Sequence, residues 1–170
     1  MKKKALLIMM VAALSLPAFS QKSAVDDLFD RYNGKEGFTS VYISSKMFSL
    51  LSRIDSDDEE FQNLVNRIKS IRILSIDSAR NVSHINFATD LVPRLNRSGF
   101  EELMTVKEPD DEIRFMIREV GDRIAELVMI TGGAGSSVVS ITGNLDLKTI
   151  SSISGDLGIE GLEGLEKVEK

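Results

Sequence analysis

Cysteine and tryptophan are absent from the 170 residues, and histidine occurs once. Without cysteine, disulfides, thiolate nucleophiles and cysteine-ligated zinc are excluded, so packing alone must hold the fold. The lone histidine, His84, stands in RNVSHIN with no acidic partner nearby in sequence. That leaves a nucleophilic triad without a base and its orienter, and zinc without its usual ligand set. With no tryptophan and two tyrosines, a sugar-stacking cleft is also poorly supplied. No apolar run approaches the roughly twenty residues that a membrane-spanning helix needs.

The longest such run, Ala5 to Leu16, has twelve residues and follows Lys2, Lys3 and Lys4. Pro17 ends it, and Ala18-Phe19-Ser20 places small residues at −3 and −1 of a cut between Ser20 and Gln21. This is the pattern of a cleavable secretory signal. Residues 1–20 are expected to be removed, giving an exported, periplasmic chain with no stable membrane insertion. No cysteine follows for a lipid anchor. Losing the three lysines leaves 18 basic against 26 acidic residues, net −8, a poor match for nucleic acid or anionic lipid.

Val25, Leu28, Phe29 and Tyr32 recur at helical spacing before Asn33-Gly34. FTSVYIS (38–44) reads as a strand and SKMFSLLSRI as a helix. Ser56-Asp57-Asp58-Glu59 spells a capping box ahead of the stripe Phe61, Leu64, Val65 and Ile68. IRILSI (71–76) is a second strand, and a weaker helix between Asp77 and Gly99 is expected to kink at Pro93 or to be regular on only one side of it. From Phe100 the period becomes two, with strands at 100–107, 112–119, 123–131 and 136–143. Pro109-Asp110 and Gly121-Asp122 supply their turns. Ile113, Phe115 and Ile117 face one way, Arg114 and Arg118 the other. LDLKTISSIS adds a short helix capped by Asp146. The predicted class is α+β: a two-layer sandwich with a mostly antiparallel sheet, helices packed on one face and a C-terminal β-meander. A single domain spans 21–154. Residues 155–170 form a weakly structured or helical tail, whose Ile159, Leu162, Leu165 and Val168 are candidate partner-docking residues.

Phe-Glu-Glu-Leu-Met-x-Val-Lys at 100–107, Ile-x-Glu-Leu in a later strand, and Ile-x-Gly-Asn-Leu-Asp-Leu at 141–147 form a recognisable set. With them the chain resembles the exported Bacteroidetes proteins of the domain of unknown function 4252 family, from about the first helix to Lys170. The resemblance implies a Gram-negative envelope location and neighbourhood with extracytoplasmic sigma-factor systems. It implies no catalytic residues. In such a source, Asp77-Ser78-Ala79 would match a periplasmic O-glycosylation pattern, with Ser78 as acceptor; alternatively Asp77 or Ser78 caps the next helix.

Other motifs fail on spacing. An EF-hand loop from Asp55 needs Gly sixth and Glu twelfth, where Glu60 and Asn66 stand. MITGGAGSSVVSITG (129–143) lacks the lysine of a phosphate loop and runs into a strand, so Gly132 to Gly135 are expected to supply positive φ angles for a hairpin. No catalytic, cofactor-binding or metal residue is assigned, and no cofactor is expected. The leading reading is a non-enzymatic binding or regulatory protein with an unknown envelope partner and undetermined oligomeric state. The alternatives are a carrier of a small apolar ligand between helices and sheet, and a carboxylate-based hydrolase.

Overall fold

The computed structural model describes residues 23–53, 59–77, 85–107, 109, 111–133 and 135–150. Their elements are α1 (Ala24–Tyr32), β1 (Phe38–Ser44), α2 (Ser45–Leu51), α3 (Glu59–Arg67) and β2 (Ile68–Ile76), then α4 (Phe87–Arg97), β3 (Glu101–Lys107), β4 (Glu112–Val120), β5 (Arg123–Thr131) and β6 (Ser137–Leu145). A helical turn opens at residues 147–150, where the Asp146 side chain accepts from the Thr149 N–H at 2.8 Å. No helix among the described residues is long and apolar enough to cross a membrane.

Local chemistry explains most boundaries. Ser23 caps α1 in a capping box: its hydroxyl accepts from the Asp26 N–H, and the Asp26 carboxylate accepts from the Ser23 N–H. Asn86 caps α4 by accepting from the Ala88 and Thr89 N–H groups, so neither Asp77 nor Ser78 starts that helix. Pro93 stands inside α4 without ending it. One helical hydrogen bond is lost there, but Leu91, Val92 and Leu95 are buried around it, and that burial prevails. The apolar stripe of α3 loses its last member, because Ile68 opens β2 instead. Ile68, Ile71 and Ile73 favour an extended chain on a half-buried pleat.

The six strands form one open sheet in the order β1-β2-β6-β5-β4-β3, and every neighbouring pair is antiparallel. The turn at Gly121-Asp122 has its positive φ at glycine alone, +63°, as a two-residue turn with glycine first requires. Gly143 serves a different purpose. A Cβ there would sit 2.2 Å from the Arg67 carbonyl oxygen, so only glycine lets β6 pass the junction of α3 and β2.

Helices cover both faces of the sheet, not the single face expected. On one face α1 and α4 pack Val25, Leu28, Phe29, Phe87, Leu91 and Leu95 onto Leu74, Met116, Val128, Ile130 and Val138. On the other, Phe48 of α2 and Val65 of α3 pack with Ile71, Phe115, Leu127, Val139 and Ile141. Phe115 and Met116, Leu127 and Val128, and Val138 and Val139 are consecutive residues that serve opposite cores, since strand side chains alternate. Each fully buried Leu or Phe contributes about 1.5–3 kcal/mol. Two such layers hold a chain that has no disulfide.

Candidate functional site

A group of four charged side chains lies under the N-terminus of α1. Glu126 of β5 is 3% exposed. Its carboxylate accepts from the Ser140 hydroxyl at 2.8 Å and the Arg118 guanidinium at 3.2 Å, with Arg72 at 4.0 Å. Arg72 also donates to Asp26 of α1. Each guanidinium lies over an aromatic ring, Arg72 over Phe29 at 5.0 Å and Arg118 over Phe100 at 5.5 Å. The Ser70 and Thr142 hydroxyls bond at 2.7 Å alongside. These residues come from β2, β6, β5 and β4. The register shifts of the central strand pairs fall beside them, at Ile68/Ser70, Arg118/Glu119 and Ile124/Glu126.

Chemically this strip is a closed ionic lock. Burial pushes the Asp26 carboxyl up, but the hydrogen bonds from Arg72 and Ser23 outweigh it and hold the group below its ordinary value. A carboxyl held low is a good ion-pair partner and a poor proton donor at neutral pH. A second network fastens α1 to α4: Arg31 bonds Asp27 and Asp90, and Arg94 bonds Asp27.

On the α2–α3 face, Asp146 accepts from Arg67, from Arg123 at 2.8 Å and from the Thr149 hydroxyl at 2.6 Å. Burial raises its pKa, yet the bonds from Thr149 and Arg67 prevail and hold it well below the carboxylate range. An open cleft of about 340 Å³ beside it is lined by Glu59, Asn63, Arg67 and Lys148. Around the glycine loop, two more open clefts share Asp111 and Gly132. The loop itself joins β5 to β6, so the hairpin reading holds, but among its described residues only Gly133 has a positive φ, +80°. Ser136 explains the shape better. Its buried hydroxyl donates to the Thr131 carbonyl at 2.6 Å and accepts from the Phe87 N–H at 3.0 Å, tying the hairpin to the start of α4. Among the described residues no group of three or more His, Cys, Asp or Glu converges as a metal site.

The remaining feature is an edge. β1 pairs with β2 from Phe38↔Ile76 to Ser44↔Ser70 without a register shift, and its outer side has no strand among the described residues. FTSVYIS contains no charge and no proline. Tyr42 is 68% and Val41 41% exposed, and Met47 and Leu50 of the adjoining α2 are exposed as well. Natural edge strands ordinarily carry lysine, proline or a bulge against adventitious pairing. β1 has none of these.

Among known protein families, the model described as domain of unknown function (DUF4252) matches residues 32–153. The chain belongs to this family. No curated protein and no solved structure gave a significant match. The DUF4252 match begins at the last residue of α1 and includes every strand, so the ionic strip is shared between the matched span and Asp26 before it. It ends before the tail, which the sequence resemblance had included.

Several sequence-derived candidates lie outside the described residues: the Ser20–Gln21 cut, the Ser56 capping box, Ser78, His84, and Ile159, Leu162, Leu165 and Val168. Sequence reading missed Glu126, Arg72 and Arg118 as a group, because 54 positions separate Arg72 from Glu126 and only the strand order joins them. It also missed β1 as an edge, because that too follows from the strand order.

Proposed function

We propose that this DUF4252 protein is an exported, non-enzymatic binding protein of the bacterial envelope that engages its partner by strand addition on β1. The carrying observation is the unguarded edge: seven residues without charge, proline or bulge, with Val41 and Tyr42 exposed within it and Met47 and Leu50 exposed on the adjoining α2. Main-chain hydrogen bonds supply affinity in such pairing, and alternate side chains supply specificity. The Gram-negative periplasmic location, and the place beside an extracytoplasmic sigma-factor system that the resemblance implies, belong to the same proposal.

The carrier reading has less support, since Leu28, Leu74, Leu91, Val128 and Ile130 fill the space between α1, α4 and the sheet. The hydrolase reading asks for two carboxyls poised at different pKa values. Asp26 and Glu126, which share Arg72, are both committed to ion pairs instead.

A photo-crosslinking residue at position 42, compared with one at position 101 on β3, tests the binding edge in the native envelope. An adduct at 42 and not at 101 is expected. No adduct at 42, or equal adducts at both positions, would count against it. Intact mass from the same preparation reports an N-terminus at Gln21 and any glycan on Ser78.

A further inference from the structure

We infer that the segment after Ile150, residues 151–170, is an intramolecular strap that covers the β3–β4–β5 part of the sheet on the α2–α3 face. The helices cover the two faces unevenly there. On the opposite face α4 packs on β4 and β5, whereas on this face α2 packs on β1 and β2, and α3 on β2 and β6. Yet β3, β4 and β5 are apolar on this side. Directly opposed residues share a face, and the register sets Met104, Phe115 and Met129 side by side, with Ile117 opposite Leu127. The register shift between Glu102 and Met104 lets Leu103 pack on the same cluster as Met104. Phe115 and Leu127 are buried, while Leu103, Met104, Ile113 and Met129 around them are only partly so.

The stretch after β6 leads onto this surface. Leu145 pairs with Ile124, and Asp146 is held between Arg67 at the end of α3 and Arg123 at the start of β5. The chain therefore leaves β6 on the border between α3 and β5. Its next helical turn folds back onto the sheet, and Ile150 is fully buried in the same cluster as Phe115 and Leu127. Residues 151–170 follow directly and lie outside the described residues. Because α3 occupies the β2–β6 side, the β5–β3 side is left for them. Length and composition suit the task. Twenty residues reach about 30 Å even at the helical rise, and β5 to β3 is about 10 Å across. Ile153, Leu157, Ile159, Leu162, Leu165 and Val168 recur every two to four positions, with Glu160, Glu163 and Glu166 between them to meet water. A second copy or a foreign protein would compete with a segment tethered at the rim, whose effective concentration is on the order of millimolar. The family match ends at residue 153, so most of the strap lies beyond the span shared with the family.

Two measurements on the full chain test this. A photo-crosslinking residue at position 104, in cells and with purified protein, should give an adduct at monomer mass whose second peptide lies within 151–170. The same residue at exposed position 97 of α4 should not. Leu162→Asp with Leu165→Asp should cut the adduct from position 104 at least about tenfold, because two apolar anchors are lost. Peroxide footprinting reads the same contact through the chain's own methionines, since oxidation follows exposure. Partly buried Met104 and Met129 should react more slowly than exposed Met47, and the double substitution should bring both up to the rate of Met47. Met116, fully buried on the α1–α4 face, should stay protected and so reports that the fold is kept. An adduct at twice the monomer mass would assign the surface to a second copy, and an adduct with another protein would assign it to a foreign partner; either overturns the strap. So does the absence of any adduct, or oxidation of Met104 and Met129 that the double substitution leaves unchanged. If Met116 becomes reactive too, the variant has unfolded and the adduct of the otherwise unchanged chain decides alone.

Discussion

On one side of the sheet, β1 presents Phe-Thr-Ser-Val-Tyr-Ile-Ser; on the other, β3 presents Glu-Glu-Leu-Met-Thr-Val-Lys. Both are seven-residue edges of the same sheet. β3 has its register shifted between Glu102 and Met104, and its charges are engaged with β4: Glu102 bonds Arg114 at 2.8 Å, and Lys107 lies 3.8 Å from Glu112. A bulge and paired charges make a poor template for a further strand. β1 has a continuous register and polar or apolar neutral side chains. The contrast teaches that the fold can protect an edge and, among the described residues, does so once. Where protection is missing, exposed apolar side chains gather.

The largest effect is expected at Glu126, which sits between the two halves with Arg72 towards β1 and Arg118 towards β3. Glu126→Ala removes a buried carboxylate and strands its arginines, at a cost of about 3–5 kcal/mol. Urea unfolding measures the loss, and hydrogen exchange should show β1–β2 and β3–β4 weakened together. A loss below about 1 kcal/mol would mean that the strip locks nothing.

Gly143→Ala comes next and acts on one side only. The added methyl meets the Arg67 carbonyl, and overpacking of this kind costs about 1–3 kcal/mol. Exchange protection should fall in α3, β2 and β1 while β3–β4 amides keep theirs. Uniform loss across the sheet would show that the two edges do not belong to separable units.

How much of this was legible follows from where the information resides. Period-two patterning located the strands closely, and β1 and β5 have the expected bounds, because alternation and turn residues are local. The two-sided sheet was not recognised, because Ile113, Phe115 and Ile117 against Arg114 and Arg118 look like one covered face. The signal lay in the adjacent apolar pairs Phe115-Met116, Leu127-Val128 and Val138-Val139, which mark a strand buried on both sides. The ionic strip was beyond reach, since it depends on β6 entering between β2 and β5. For the same reason FTSVYIS could be read as a strand but not as an edge.

Acid sharpens the comparison through Asp146, which joins Arg67 at the end of α3 to Arg123 at the start of β5. Its folded pKa is depressed, so the stability it contributes is present above the unfolded carboxylate value of about 3.9 and is lost as pH falls below it. Asp26, also held low by Arg72 and Ser23 against its burial, adds to the same decline. The urea midpoint of the wild type should therefore fall from pH 5 to pH 2, and Asp146→Asn should flatten part of that fall. An unchanged profile in the variant would remove Asp146 from the account.

The smallest effect on stability carries the sharpest test of the contrast. Glu101→Thr with Glu102→Thr takes both acids from the start of β3 and leaves its strand propensity intact or improved. Glu102 is half exposed, and its pair with Arg114 belongs to the class worth at most about 1 kcal/mol, so the thermal midpoint should barely move. Association is where the change should appear: with charge removed from one end of the second edge, the variant should form species larger than the wild type as concentration rises. Combined with Val41→Lys, it should self-associate through β3 while β1 stays blocked. If the double threonine variant keeps the wild-type mass at every concentration, the register shift at Glu102/Met104 and the remaining Lys107 suffice to guard β3. The difference between the edges would then reside in backbone geometry more than in charge.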